Sequence, residues 1–167
     1  MLVTDARIEL ARLVDVPLDA VVALLNEPRN TRHMPLSTPF TPETAREWAH
    51  AKDAQWDEHG YGPWAVLVDG DFAGWGGFQR EPNGADFALV LFPRHWGQGA
   101  AITRELLARG FTDLGLTDVL IALPYSRSPD RAVARLGFRP DGDVDYGGVA
   151  FRQYRLTRDA WVAARQA

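Results

Sequence analysis

The spacing of apolar residues divides the chain into short strands and helices that follow one another without a long linker. Near-alternation over residues 7–13 predicts a first strand, and the apolar run at 18–26 predicts a short helix that stops before Pro28. Alanine and tryptophan then recur at helical spacing over residues 45–56. This pattern predicts a second helix with Thr41 as its N-cap and Gly60 as its C-cap.

The middle of the chain is predicted to form three strands and one helix. Residues 63–69 and 72–80 have strand character on either side of a turn, and residues 85–92 are apolar except at Asp86. Glycines at 74, 76 and 77 inside the second of these strands indicate a bulge, or a group that approaches the backbone closely. Beyond residue 92, the apolar residues up to Leu114 keep to one side of a helix.

The last third of the chain adds a short apolar strand at 118–123 and a helix at 130–136, which ends at Gly137. A hairpin turning at Gly147-Gly148 and a helix capped by Thr157 complete the predicted elements. The strand–helix–strand crossover over residues 85–123 forces at least one parallel strand pair. The pattern therefore predicts an α+β or α/β sheet in a single domain, residues 1–167.

Composition and charge narrow the class of protein. A chain of 167 residues with 46% apolar and 24% charged residues is ordinary for a soluble globular domain. The N-terminus has no signal-peptide pattern and no apolar run is long enough to span a membrane, so we expect a cytoplasmic protein without a membrane partner. The formal charge of −4 argues against a nucleic-acid partner.

Two residue types limit the chemistry further. The chain has no cysteine, which excludes disulfides, thiolate-bound zinc and a cysteine nucleophile. Its four histidines lack metal-ligand spacing, so we expect no metal.

The corner between residues 91 and 111 carries the most specific signal. Gly97 and Gly99 lie between a strand and a helix, where free N–H groups and the positive end of the helix dipole can bind a diphosphate. The same glycines can also serve only a tight strand-to-helix connection, and spacing alone leaves both interpretations open. A Walker A loop is excluded because Ala100 and Ala101 follow the last glycine, and Ile102 makes a dinucleotide-binding fingerprint weak.

Arg94-x-x-Gly97-x-Gly99 after a strand, together with the distant Leu136-Gly137-Phe138 and the order of elements, resembles the GCN5-related N-acetyltransferase (GNAT) family. The Pro-x-x-Trp-Gly form of the corner is similar to the branch that contains the ribosomal-protein-alanine N-acetyltransferases. The resemblance implies a mixed, mostly antiparallel sheet of about six to seven strands, with one central parallel crossover and flanking helices. It also implies acetyl-CoA as the co-substrate of an N-acetyltransferase.

The resemblance further implies a site between strands 85–92 and 118–123, which splay apart around the pantetheine arm, with the diphosphate on the turn at residues 94–100. Two positions depart from the family pattern: Ser126 replaces a frequent asparagine, and Val133 replaces a tyrosine that protonates the leaving thiolate. The implied cofactor-binding residues are Val90, Leu91, Phe92, Arg94, Trp96, Gly97, Gln98, Gly99, Ala100 and Ser126. Arg131, which shares a helix face with Arg135, is a further candidate for the CoA phosphates, with a solvated helix face as the alternative.

Acetyl transfer to an amine requires the amine to lose a proton. Without cysteine, we expect direct attack on acetyl-CoA. The candidate base is Asp86, with a solvent-facing aspartate as the alternative; His33 lies in the loop where this family forms its acceptor wall, with a loop histidine of no chemical role as the alternative. Tyr125 and Ser126 are candidates for the thiol-side proton, although Tyr125 could equally belong to the core.

Two functions follow from the sequence. One is an acetyl-CoA-dependent N-acetyltransferase that acts on a primary amine, either a protein N-terminus or a small molecule, with a homodimer as a candidate assembly. The alternative is a CoA-binding module that has lost catalysis.

Overall fold

The computed structural model describes residues 5–32, 36, 38–126 and 131–166, which include one seven-stranded sheet. The strands lie in the order β1-β2-β3-β4-β5-β7-β6, and all neighbours are antiparallel except β4 and β5. This confirms the predicted fold class. The strands are β1 (Ile8–Ala11), β2 (Pro63–Val68), β3 (Asp71–Glu81), β4 (Gly84–Leu91), β5 (Asp118–Pro124), β6 (Arg139–Tyr146) and β7 (Val149–Thr157).

Helices cover both faces of this sheet. They are α1 (Leu18–Leu25), α2 (Pro28–Thr31), α3 (Pro42–His59), α4 (Gly99–Ala108), α5 (Arg131–Arg135) and α6 (Arg158–Gln166). A π-helical turn, Arg109–Asp113, continues α4, and 3-10 turns occupy Leu13–Asp15 and Pro93–Gln98.

The predicted ends of α3 and the start of α6 are confirmed. The Thr44 N–H donates to Thr41 Oγ1 at 3.1 Å, and the Thr41 N–H donates to Thr44 Oγ1 at 2.8 Å, which forms a reciprocal capping box. At the other end Gly60 adopts a left-handed conformation with φ of 78°. The Ala160 N–H donates to Thr157 Oγ1 at 3.1 Å, as expected for the N-cap of α6.

Two apolar clusters hold the helices to the sheet. The residues of β2 alternate between them: Val66 and Val68 belong to the cluster beneath α4 and α6, and Ala65 belongs to the cluster beneath α1 and α3. Because successive strand residues point to opposite faces, the two clusters lie on opposite sides of the sheet. The result is three layers, helix, sheet and helix.

Two sequence predictions of local structure were wrong in extent. The first strand ends at Ala11, and Leu13 instead begins a 3-10 turn that buries its side chain to 1% exposure in the α1–α3 cluster. Beyond the predicted stop at Pro28, where residues 30–40 are predicted to form a loop, residues 28–31 form the short helix α2, because the Glu27 side chain accepts a hydrogen bond from the Arg29 N–H and Pro28 occupies the first turn.

The glycines of β3 mark a bulge, as predicted. Pairing of β2 with β3 shifts register between Val66 and Leu67. Gly74 has φ of 156°, and a Cβ atom there would lie 2.0 Å from the carbonyl oxygen of Val90. The close approach to the backbone is therefore made by β4 itself.

Candidate active site

A large cleft opens where β4 and β5 lie side by side. The two strands are in parallel register at Asp86 and Leu120, and further along them Val90 and Leu123 both line the cleft. The cleft has a volume of about 1730 Å³. It extends from the first turn of α4 to α3 and the end of β6, so one space connects the predicted cofactor turn with Asp86.

The first turn of α4 faces this cleft through residues 99–101. Gln98 occupies the N-cap position, and no side chain caps the helix. The leading N–H groups of a helix have no partners within it and carry partial positive charge. This end of the cleft is therefore suited to an anion.

Neither glycine of the corner is required by the packing of the described residues. A Cβ atom on Gly97 would meet nothing within 4 Å, and one on Gly99 would meet only Leu91 Cδ1 at 3.9 Å. Neither residue has a positive φ, and that of Gly99 is −56°. The interpretation of these glycines as steric relief for a tight connection is thus unsupported. They leave room for a ligand to approach the backbone beside α4.

Side chains from two elements hold the end of β4 beside the corner. The Leu91 carbonyl accepts hydrogen bonds from Asn30 Nδ2 at 2.9 Å and from Trp96 Nε1 at 3.1 Å. The Trp96 ring is 46% exposed and lines the cleft, as do Val90, Leu91 and Ala100. Five of the eleven predicted cofactor residues therefore border the same space, namely Val90, Leu91, Trp96, Gly99 and Ala100.

Arg94 is held outside the cleft lining. Its guanidinium lies 4.3 Å over the Phe92 ring and donates to Asp71 Oδ2 at 3.3 Å. His95 Nε2 lies 2.9 Å from the same Asp71 oxygen, and this contact, with the charge of Arg94, lowers the pKa of Asp71. In this arrangement Arg94 joins the β2–β3 turn to the corner, and its contact with a phosphate stays a prediction.

Of the remaining predicted cofactor residues, some are buried and others are exposed to solvent. Phe92 is buried in the α1–α3 cluster, and Gln98 has a buried Oε1 without a hydrogen-bond partner in the described part of the chain. Arg131 is exposed on α5 and does not line the cleft, whereas Arg135, one turn later, does. Arg29 and Arg104 also line it. The cleft therefore has several cations within reach of its cofactor end.

Asp86 lies at the opposite end of the cleft, on the sheet face covered by α1 and α3. Its Oδ1 is buried and accepts no hydrogen bond from the described residues. Burial raises the pKa of Asp86 to about 7; the negative charge of Glu81 adds to this rise and the positive charge of Lys52 opposes it. The alternative of a solvent-facing aspartate does not hold.

Three neighbours of Asp86 were not identified from the sequence: Lys52, Glu81 and Tyr146. Lys52 of α3 donates to Gln79 Oε1, across the strand pair from Asp86, and its Nζ lies 5.5 Å from the centroid of the Trp75 ring. The Tyr146 hydroxyl, at the end of β6, is buried and has no partner among the described residues. Burial, with the charges of Asp86 and Glu81, raises the pKa of Tyr146 to about 12.

One sequence signal could have singled out Lys52: it is the only lysine in the chain. Glu81 and Tyr146 carry no comparable signal, because each precedes a turn as many surface residues do. Only the assembled fold brings positions 52, 81, 86 and 146 to one cleft, since Lys52 belongs to α3 and the other three residues belong to separate strands.

The other candidate catalytic residues lie apart from this group. Tyr125 is 54% exposed, which excludes a core role, and its hydroxyl donates to Asp143 Oδ1 at 2.6 Å. Ser126 is also exposed, and neither residue lines the cleft, although Pro124 does. His33 lies outside the described residues. The roles of these three side chains stay predictions.

Residues 5–32, 36, 38–126 and 131–166 include no group of three or more histidine or acidic side chains that could hold a metal ion. Within the same ranges, none of the helices has the length and apolar character needed to cross a membrane.

Solved structures share this fold over nearly the whole chain. A Bordetella pertussis protein assigned to the GNAT acetyltransferases is 24% identical, with a TM-score of 0.72, over 92% of this chain and 97% of its own. An acetyltransferase from Agrobacterium tumefaciens is 17% identical, with a TM-score of 0.74, over 95% and 97%. The aminoglycoside acetyltransferase AAC(6′)-Ib, solved with paromomycin and acetyl-CoA, is 16% identical, with a TM-score of 0.76, over 97% and 98%.

No curated protein matches the sequence. The family model of the acetyltransferase (GNAT) domain, however, matches residues 7–139. Since that match spans most of the 167 residues, the chain belongs to the GNAT family of acetyltransferases.

Proposed function

We propose that this protein transfers an acetyl group from acetyl-CoA directly to a primary amine, without a covalent enzyme intermediate. One observation carries the proposal: one cleft joins the start of α4, which has no side-chain cap, to a buried carboxyl oxygen without a partner among the described residues. The first feature suits the diphosphate of CoA, and the second suits removal of a proton from an amine.

The cofactor end fits an extended acyl-CoA. The diphosphate would lie against the N–H groups at the start of α4, where Gly97 and Gly99 leave space for it. The pantetheine arm would follow the cleft between β4 and β5, and Arg29, Arg104 or Arg135 could meet the remaining phosphate. The structural neighbour AAC(6′)-Ib, solved with CoA and kanamycin, supports this assignment.

The acceptor end fits an amine that arrives protonated. Asp86 and Glu81 attract the ammonium group, and a carboxylate with a pKa of about 7 can accept its proton near neutral pH. The amine nitrogen then attacks the thioester carbonyl carbon, the C–S bond breaks, and the thiolate leaves and takes up a proton. Tyr125 or Ser126 is the proposed source of that proton, because the family's tyrosine is Val133 here.

Two classes of acceptor fit this proposal. The form of the corner supports membership of the ribosomal-protein-alanine branch, and hence a protein N-terminus as the acceptor. The likeness of the fold to AAC(6′)-Ib supports a small polyamine such as an aminoglycoside. Assaying acetyl transfer to a panel of amines that contains both classes of acceptor distinguishes the two possibilities.

The test begins with thermal shifts in CoA and acetyl-CoA, because a ligand that binds only the folded state raises its apparent stability. Thiol release is then measured with aminoglycosides, simple alkylamines and a peptide with an N-terminal alanine. We expect turnover with at least one amine, and a loss of about 100-fold or more in kcat/KM for Asp86→Asn. The exposed Asp57→Asn serves as the matched control. A stabilising shift without thiol release would instead support the noncatalytic CoA-binding module.

A further inference from the structure

Lys52 differs from every other basic residue of the chain. All the other members of the 18 lysines and arginines are arginine, so this position alone carries an amine. A lysine amine can lose its proton and become a nucleophile, whereas a guanidinium remains protonated. The one side chain with this capacity lies in the cleft to which an acceptor amine must bind.

Burial of Lys52 favours the neutral, nucleophilic form of its amine. Its Nζ lies 6.0 Å from the Trp48 ring centroid and 5.5 Å from that of Trp75, and it donates to Gln79 Oε1. Burial lowers the pKa of the Lys52 ammonium, and the negative charges of Glu81 and Asp86 oppose that shift. A larger fraction of the amine is therefore neutral near physiological pH than for an exposed lysine.

A proton acceptor lies in the same cleft as this amine, and the cofactor end opens into that cleft. Asp86 Oδ1 is buried without a partner in the described residues, and Asp86 and Lys52 line the same cleft as Val90 and the start of α4. The lysine stem is long and flexible, so its amine can turn away from Gln79 toward the strand that borders the cofactor. Lys52 thus places an amine of this chain beside the base proposed for foreign amines.

We propose that Lys52 is itself an acetyl acceptor, so that the protein acetylates its own Lys52 Nζ when no other amine occupies the cleft. This inference rests on the proposed function. The neutral Nζ attacks the thioester carbonyl carbon of acetyl-CoA, an N–C bond forms and the C–S bond breaks. The proton lost by the nitrogen passes to Asp86, and CoA leaves as the thiol. The product is an uncharged amide beside the rings of Trp48 and Trp75.

The modification has a consequence for the site. Acetylation removes the ammonium whose charge lowers the pKa of Asp86. The base then becomes harder to ionise, and the added acetyl group occupies space beside Trp48 and Trp75. Acetylated protein should therefore turn over foreign amines more slowly than unmodified protein does.

The test is the intact mass of the full chain after incubation with acetyl-CoA alone, followed by peptide mapping. We expect one added acetyl group per molecule, located on Lys52, and none on Lys52→Arg. Lys52→Gln serves as a second variant without an amine, and a thermal shift with CoA checks that each variant is folded. Because the variants contain no lysine, acetylation of the chain's α-amino group is measured separately in the same spectra.

Two further samples separate enzymatic from purely chemical acetylation. Gly99→Asp places a negative charge where the diphosphate would bind, and Asp86→Asn removes the base. We expect acetylation to slow by about 100-fold in Asp86→Asn and to be absent from Gly99→Asp. Equal rates in the native chain, in Gly99→Asp and in the urea-unfolded chain would overturn the inference, because chemical acetylation then accounts for the product.

Thiol release with the amine panel is measured on the same preparation of native protein. Turnover of a foreign amine with an unchanged protein mass would overturn self-acetylation and leave the proposed function intact. Binding of CoA with neither thiol release nor a change of mass would overturn both.

Discussion

Replacing Asp86 by asparagine should make the protein more stable and less active at alkaline pH. The substitution keeps the size of the side chain but removes its ionisation. The cleft buries Oδ1 without a hydrogen-bond partner among the described residues, so the ionised form is costly to the fold. The neutral amide avoids that cost and cannot accept the proton of an amine.

The magnitude follows from the pKa of Asp86, which rises from 3.8 to about 7 on folding. Between these values the folded chain binds more protons than the unfolded chain. The contribution of Asp86 to the free energy of unfolding is therefore fully present below pH 3.8 and is lost as the pH rises through about 7. Each pH unit in this interval lowers the free energy of unfolding by about 1.4 kcal/mol, which amounts to about 4 kcal/mol over the whole interval. About 3 kcal/mol of this loss falls between about pH 5 and about pH 8.5.

Urea unfolding of the native protein, Asp86→Asn and the exposed control Asp57→Asn at about pH 5 and about pH 8.5 measures this difference. We expect Asp86→Asn to gain about 3 kcal/mol over the native protein between the two conditions. Thiol release at the higher pH should meanwhile fall by about 100-fold. If the stability difference between native and variant is the same at both pH values, the buried, raised-pKa carboxyl is refuted. Undiminished thiol release would refute its role as base.

Three other substitutions test the remaining parts of the site. Gly99→Asp should abolish the thermal shift with CoA and still fold, since an acidic residue suits a helix N-terminus. Gly99→Ala is its control, because a Cβ atom there has room. Unchanged affinity of the aspartate variant for CoA would contradict the diphosphate site. Lys52→Met should move the acid limb of the pH profile of kcat/KM to higher pH. The reason is that the pKa of Asp86 rises when the Lys52 ammonium is removed while Glu81 and Tyr146 remain. A movement of that limb to lower pH would contradict this reasoning. Gly74→Ala should cost about 1–3 kcal/mol or more in urea unfolding, because its Cβ meets the β4 backbone, whereas Gly97→Ala should cost little.

Features that depend on a few consecutive residues were predicted well. The caps at Thr41, Gly60 and Thr157 were found where the sequence places them, because a capping bond joins groups within one helical turn. Asp86 was also identified as unusual, since a charged residue in an apolar strand breaks a local pattern. Its burial, however, required knowledge of which helix covers that face of β4.

Features that depend on distant residues were missed or left open. The sequence associates Arg94 with a phosphate, yet its guanidinium bonds Asp71, which precedes it by 23 positions. No local pattern indicates that the β2–β3 turn reaches the corner. Tyr125 follows a strand that borders the cleft, but the chain has turned outward there and the ring is exposed.

The sequence alone determined the elements, the crossover that makes β4 and β5 parallel, and the corner with its glycines. These features depend on apolar periodicity and on backbone preferences that act over a few residues. The tertiary structure alone decided that Lys52, Glu81, Asp86 and Tyr146 share one end of a cleft that begins at α4. Their charges and pKa values depend on burial and mutual distance, which arise only when the sheet and its covering helices assemble.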